Sequence, residues 1–352
     1  MSASSWLLYG ANGYTGELIA REAVARGLSP TLAGRSREAI EKLAKELNCP
    51  CAVFALDDHT ALVDALQDKT VALNCAGPFS QTAAPLMQGC LATHVHYLDI
   101  TGEIDVFELA HGVHDKAVRA GVVLCPGVGF DVVPTDSIAA KLKEALPDAT
   151  HLTLAFDSRA GYSRGTAKTA LEAAGAGLRI RRGGNFVELP LGSLQRSIDF
   201  GEGIRNTAAI SWGDVSTAYF TTGIQNIEVY TGTSPRALKR MRRANLVRAL
   251  LKTRWIVQIL QSRIERKMTG PTRTERENNP TLLWGEARNA RGETRTARLK
   301  TANGYAFTVN SSLGILSRLL QEPQRSGYFT PTQLVGSEFV TTLPGSSLIR
   351  IE

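Results

Sequence analysis

Glycines at positions 10, 13 and 16 follow the apolar run Trp6-Leu7-Leu8-Tyr9, where a strand would turn into a helix. Gly10 permits the tight turn, Gly13 leaves no Cβ between a phosphate and the first helical amides, and Gly16 lets helix and strand pack closely. Asn12, Tyr14 and Thr15 fill the places between them. The chemistry this spacing offers is anion binding at the positive end of a helix, and a dinucleotide pyrophosphate fits it.

About twenty residues on, where a site for NAD usually places a carboxylate, the chain reads Leu32-Ala33-Gly34-Arg35-Ser36. With no carboxylate to repel it, a 2′-phosphate can meet the Arg35 guanidinium and the Ser36 hydroxyl, so NADP is the expected cofactor. The alternative is a solvated Arg35 beside an N-capping Ser36. Asp57 stands where a carboxylate can accept from the adenine amino group, although Asp58 next to it suits a helix cap. Ala76, Gly77 and Pro78 form a small-residue turn that lets backbone run beside the cofactor riboses. Hydride transfer needs an electron-poor carbon and often a proton donor nearby. Tyr97, Asp99 and Glu103 are the catalytic candidates, with Thr101, Asp131 and Asp136 in the same neighbourhood. Tyr97 and Asp99 share one face of a strand by its two-residue period. The blander reading makes Tyr97 a core residue and Glu103 a helix-end residue.

These residues require a particular scaffold. Apolar runs at 6–9, 31–33, 52–54, 71–74, 95–98 and 122–125 alternate with helix-period stretches at 17–25, 37–47, 59–67, 82–93 and 106–120. Strand and helix alternating in this way predict a Rossmann-like, doubly wound parallel sheet, with the ligand across the carboxyl ends of the strands. At 352 residues and 43% hydrophobic content the chain holds two cores. The expected division is a dinucleotide-binding domain over 1–130, an α+β substrate and dimerisation domain over 131–310, and C-terminal helices over 311–352 that pack back on the first domain.

The net charge of +7 comes from one segment: residues 236–267 hold eleven Lys or Arg against one Glu. This stretch reads as one long helix or a broken pair, with Leu246, Leu250, Val257, Leu260 and Ile264 along a stripe. The stripe suits core or dimer packing, a lid over an anionic acyl substrate or acyl carrier, or contact with an anionic lipid surface. No RNA-binding or helix-turn-helix signature accompanies the charge, so nucleic acid is not an expected partner. Five cysteines at 49, 51, 75, 90 and 125 show no C-x-x-C pair and suit reduced thiols in a cytoplasmic, soluble protein. His94, His96, His111 and His114 match no metal motif spacing, and no metal is expected. None of the eight tyrosines has Lys four residues on, which argues against the Tyr-x-x-x-Lys mechanism.

In order along the chain, YGANGYTG, LAGRS, NCAGPF, HYLDITGE and PGVGFDVVPTD resemble the NADP-binding region of saccharopine dehydrogenase-like oxidoreductases, and are similar also to trans-acting enoyl reductases. The likeness covers residues 5–140 and thins beyond. The segment from Arg164 to Thr169 and the close from Gly327 to Gly336 resemble later parts of the same family, and the strand-rich stretch 282–308 fits its second-domain sheet. The resemblance implies NADP-linked oxidoreduction, with no substrate fixed by the shared motifs. On the substrate side the candidates are Phe79, Asp131, Arg164, Thr166 and Lys168. An enoyl or carbonyl reductase of an acyl-type small molecule is the favoured expectation. An amino-acid C–N dehydrogenase and a non-catalytic NADP-binding redox sensor are the alternatives.

Overall fold

The structure is a computed structural model that describes residues 5–158, 164–251, 253–267, 279–321 and 325–352. The chain forms two units, one of residues 1–130 and 308–334, the other of 131–307 and 335–352. The C-terminal stretch expected to join the first unit therefore divides at Leu334.

In the first unit the strands are β1 (Trp6–Tyr9), β2 (Pro30–Gly34), β3 (Cys51–Val53), β4 (Val71–Asn74), β5 (His96–Asp99) and β6 (Val123–Cys125). A later strand, β15 (Gly327–Tyr328), completes a seven-stranded sheet in the order β15-β6-β5-β4-β1-β2-β3. Every pairing in it is parallel. Residues of β1, β2 and β4 are buried without exception, which explains their unbroken apolar runs: a parallel strand is covered on both faces. The connecting helices are α1 (Tyr14–Ala25), α2 (Arg37–Leu47), α3 (His59–Leu66), α4 (Phe79–Thr93), α5 (Ile104–Gly112) and α6 (His114–Ala120). The single helix expected over 106–120 is thus two, interrupted at Val113. The four histidines there have structural partners. His94 Nδ1 lies 2.8 Å from the Ala120 carbonyl, His96 Nδ1 accepts from the Val123 amide and His114 Nδ1 from the Tyr328 amide, while the His111 ring meets Tyr328 edge-on.

The second unit holds α7 (Val133–Ala145), β7 (Ala149–Asp157), α8 (Arg164–Ala176), β8 (Leu178–Arg182), β9 (Asn185–Leu189), β10 (Gln195–Asp199), β11 (Ile204–Ala209), α9 (Asp214–Thr222) and β12 (Asn226–Gly232). After these come α10 (Pro235–Leu251), α11 (Arg254–Lys267), β13 (Thr281–Asn289), β14 (Thr294–Thr301) and the terminal β16 (Arg350–Ile351). The strands form a mixed nine-stranded sheet with the path β10-β11-β12-β7-β13-β14-β16. Helix α7 packs on β13 and β14. Another core gathers Trp284, Tyr230, Phe200 and Ile198, with Met241 and Ala244 of α10 against it. The stretch 282–308 contains two strands, but a helix, α12 (Gly304–Gln321), starts before its end. The basic segment is a broken pair, α10 and α11. Leu246 is 87% exposed and so is not part of a core-facing stripe, whereas Val257 and Leu260 are half-buried. The side chains of Leu250 and Ile264 lie outside the described residues.

Candidate cofactor site

Strand order reverses at β1, which lies between β4 and β2, so the loops after β1 and β4 diverge at the sheet's carboxyl edge. Such a switch point opens a crevice for a ligand. The glycine turn fills one side of it. Gly10 has a φ of +79°, and a Cβ there would fall 2.7 Å from the Ala76 amide nitrogen. A Cβ on Gly16 would lie 2.2 Å from the Gly10 carbonyl oxygen. Only glycine fits either place. Gly13 is the N-cap of α1 and supplies no side-chain bond to the helix amides, so that helix end is left for an anion. Asn12 is exposed, and Gly13, Tyr14 and Thr15 are half-buried around it.

At the end of β2, Arg35 and Ser36 are both exposed, and Ser36 makes no side-chain cap to α2. Asp58, by contrast, does cap α3, accepting from the Ala61 amide at 3.0 Å. Its neighbour Asp57 is exposed. Tyr9 links this end of the site: its ring packs on Phe54 with centroids 5.3 Å apart, and its hydroxyl senses the charges of both Arg35 and Asp57. Burial raises the Tyr9 pKa, Arg35 lowers it and Asp57 raises it, so the phenol stays neutral. These residues fit a 2′-phosphorylated adenosine half, which Arg35 and Ser36 would hold at its phosphate.

A buried polar chain supports the other half. Asp99 Oδ1 accepts from the amides of Thr101 at 3.0 Å and Gly127 at 2.8 Å, while Oδ2 accepts from the Tyr97 hydroxyl at 2.8 Å. The Asn74 amide donates to the Tyr97 hydroxyl at 3.3 Å and to the Thr82 hydroxyl at 3.1 Å. Asn74 Oδ1 accepts from the Ala76 amide at 3.0 Å, and the Thr82 hydroxyl donates to the Ala76 carbonyl at 2.6 Å. Both polar ends of Ala76 are thereby fixed. Glu103 reaches the same turn from the β5 side, its two carboxylate oxygens accepting from the amides of Phe79 at 2.9 Å and Ser80 at 2.7 Å. That cap starts α4 at Phe79, three residues before the position expected from sequence, and the Gly77–Pro78 peptide ahead of it is cis.

Of the catalytic candidates, Tyr97 and Asp99 are fully buried and bonded to one another, while Glu103 holds the start of α4. The bonds of Tyr97 and Asp99 tie the ends of β4 and β5 to the loop after β6. Burial raises Asp99 to about 6, against the lowering pull of the Thr101 and Gly127 amides and the Tyr97 hydroxyl. Asn74 and Thr82 complete the chain, and neither carried a role in the sequence reading. The available signal was a polar Asn closing an otherwise apolar strand. Phe79 is buried at the start of α4. Of the remaining substrate candidates, Asp131 and Lys168 are half-buried in the second unit, and the side chains of Arg164 and Thr166 lie outside the described residues. Near Asp131 sits Asp214, fully buried on α9. Desolvation holds its pKa well above the usual range, and the charges of Asp136 and Asp131 push it further up. Among the described residues no three His, Cys, Asp or Glu side chains gather as metal donors.

The first unit has the architecture of a dinucleotide-binding domain. Residues 6–125 match the family described as the saccharopine dehydrogenase NADP binding domain, and the cofactor named by that match is NADP. The saccharopine dehydrogenase-like oxidoreductase of Bos taurus is 29% identical over 150 residues, covering 37% of this chain and 35% of the relative. The trans-acting enoyl reductase of Mycobacterium leprae (strain TN) is 32% identical over 145 residues, 37% of this chain and 33% of the relative. The chain thus spans about a third of the length of these curated relatives. A saccharopine dehydrogenase (L-Glu forming) from Saccharomyces cerevisiae aligns over 99% of both chains with a TM-score of 0.64 at 12% identity, which shows a shared fold across both units. No helix among the described residues is long and apolar enough to cross a membrane.

Proposed function

We propose that the protein is an NADP(H)-dependent oxidoreductase that reduces an enoyl or carbonyl group of an acyl-type small molecule. One observation carries the cofactor half of this reading: an uncapped helix N-terminus behind a glycine turn, beside a second strand that ends in exposed Arg35 and Ser36 with no carboxylate. Bound NADPH supplies a hydride, and the protein's part is to hold the cofactor and the reacting carbon in register. Gly13, Tyr14, Thr15 and Gly16 would offer the pyrophosphate a helix end, Arg35 and Ser36 would take the 2′-phosphate, and Asp57 would accept from the adenine amino group.

The turn Ala76–Pro78 has its backbone pinned from beneath by Asn74 and Thr82 and from the side by Glu103, so it is a rigid wall for the nicotinamide half. Since Tyr97 and Asp99 lie within the sheet, the proton that accompanies hydride transfer comes from solvent, from the substrate or from a residue other than these two. The acyl-type substrate is supported by the enoyl reductase relative, over the matched third of that protein. A cytoplasmic site of action belongs to the same proposal, supported by five cysteines outside any disulfide, of which Cys51 is exposed. The test is NADPH oxidation followed at 340 nm against a panel of enoyl and carbonyl thioesters and of imines formed from amino acids. Turnover of thioesters supports the proposal. Turnover of imines alone transfers the protein to C–N chemistry, and NADPH binding with no turnover of any class favours a sensor.

A further inference from the structure

Helix α10 has two faces with different fates. Among the described residues, its inner face is engaged within the second unit. Met241 and Ala244 pack on the sheet core. The Asn245 side chain exchanges two hydrogen bonds with the Leu191 backbone, at 2.9 and 3.0 Å. Arg248 bonds the carbonyls of Gly175 and Ala176 and the Glu188 carboxylate. The outer face reads Arg236, Lys239, Arg240, Arg243, Leu246 and Val247, a three-and-four spacing that forms one continuous stripe along a helix. All six are exposed, Leu246 at 87% and Val247 at 45%.

This stripe is costly for the helix alone. Arg236 and Lys239 lie near its N-terminus, the positive end of the helix dipole, where a helix built for its own stability places Asp or Glu. The sequence of α10 contains no acidic residue to offset them. Four cations followed by two protruding aliphatics on one face combine charge that pairs with anionic headgroups and apolar side chains that gain from leaving water. On α11 the exposed Ile259 and Arg263, one turn apart, repeat the pairing.

We propose that the outer face of α10 docks the protein on an anionic lipid surface, the cations engaging headgroup phosphates and Leu246 with Val247 entering the interface. Charge complementarity selects an anionic occupant, and two exposed aliphatics in a stripe without an aromatic side chain select lipid over nucleic acid. The inference is independent of the hydride-transfer reading, because no residue of the stripe belongs to the cofactor site.

The test is sedimentation of the full chain with vesicles of phosphatidylcholine alone or with about 30% phosphatidylglycerol, at low and at high salt. Binding is expected only to the anionic vesicles, falling by an order of magnitude or more as salt rises. Each cation near such a surface contributes about fivefold in affinity, so the variant with Arg236, Lys239, Arg240 and Arg243 all changed to Gln should lose about a hundredfold or more. Leu246→Gln with Val247→Gln should weaken binding by about tenfold while leaving its salt dependence unchanged. NADPH affinity, measured on the same preparations, should match the unaltered protein and so report intact fold. Equal binding to neutral and anionic vesicles, no binding at low salt, an unaffected quadruple variant, or tighter binding to a short oligonucleotide than to anionic vesicles each overturns the proposal.

Discussion

Arg35 bears on a single chemical difference, the phosphate that distinguishes NADPH from NADH. Its guanidinium is exposed at the end of β2, beside a Ser36 hydroxyl not consumed by a helix cap. Arg35→Ala should weaken NADPH binding by about one to two decades, the usual contribution of a charge-assisted hydrogen bond, and leave NADH binding nearly unchanged. Titrating both cofactors calorimetrically checks this, and equal losses would remove the 2′-phosphate from Arg35. Asp99 leads to a different kind of prediction. With a pKa near 6 in the folded protein and about 4 unfolded, the folded state holds this proton more tightly. Its contribution is therefore fully present below about pH 4, and about 3 kcal/mol of it is lost as pH rises to about 6. In Asp99→Asn that decline should vanish. Urea unfolding measured from pH 4 to pH 7 should give a slope across this window about one proton flatter in the variant. Identical slopes would place the titration elsewhere.

The elements show where sequence reading succeeds and where it stops. Helix α2 spans Arg37–Leu47 and β4 spans Val71–Asn74, the ranges that periodicity indicates, because each is bounded by its own local signals. Arg35, Ser36 and the glycine turn were legible for the same reason: a strand end and a helix start announce themselves. The start of α4 was not legible. It is set by Glu103, 24 residues away in sequence, and no local pattern at Phe79 encodes a cap delivered from another loop. Tyr97 and Asp99 were legible as a pair by strand period, yet their burial depends on neighbouring strands on both sides, which period alone does not reveal. Glu103 consequently has a structural role with a measurable signature. Glu103→Gln keeps one acceptor, loses the charge at the helix N-terminus and turns an amide donor toward a second N–H. A loss of about 1 to 3 kcal/mol in stability is expected, with NADPH affinity reduced in parallel as the Ala76–Pro78 turn loosens. A purely catalytic Glu103 would instead lower turnover and leave the melting temperature in place, so thermal unfolding and kcat measured together separate the two roles.

At the scale of the whole molecule, the dinucleotide-binding unit is discontinuous in sequence, and its second piece is structural. Residues 308–334 supply the β15 edge, with the Gly327 amide on the Val122 carbonyl at 2.8 Å and the Phe329 amide on the Leu124 carbonyl at 3.0 Å. They also hold the loop after β6. The Ser311 hydroxyl donates to the Val128 carbonyl at 2.7 Å, and the Thr308 hydroxyl accepts from the Phe130 amide at 3.0 Å. A chain ending at Phe130 would leave β6 as an open edge strand and strand these loop groups without partners, and both favour aggregation over a closed fold. The expected outcome is that residues 1–130 alone are insoluble or molten. The same residues joined by a flexible linker to 308–334 should give a cooperative thermal transition and bind NADPH with the affinity of the full chain. If the 1–130 fragment folds cooperatively and binds NADPH equally well, the return segment is an ornament on a self-sufficient sheet. If the joined pieces fold but bind NADPH poorly, the second unit contributes to the cofactor's hold, and the cradle assigned to the first unit alone is incomplete.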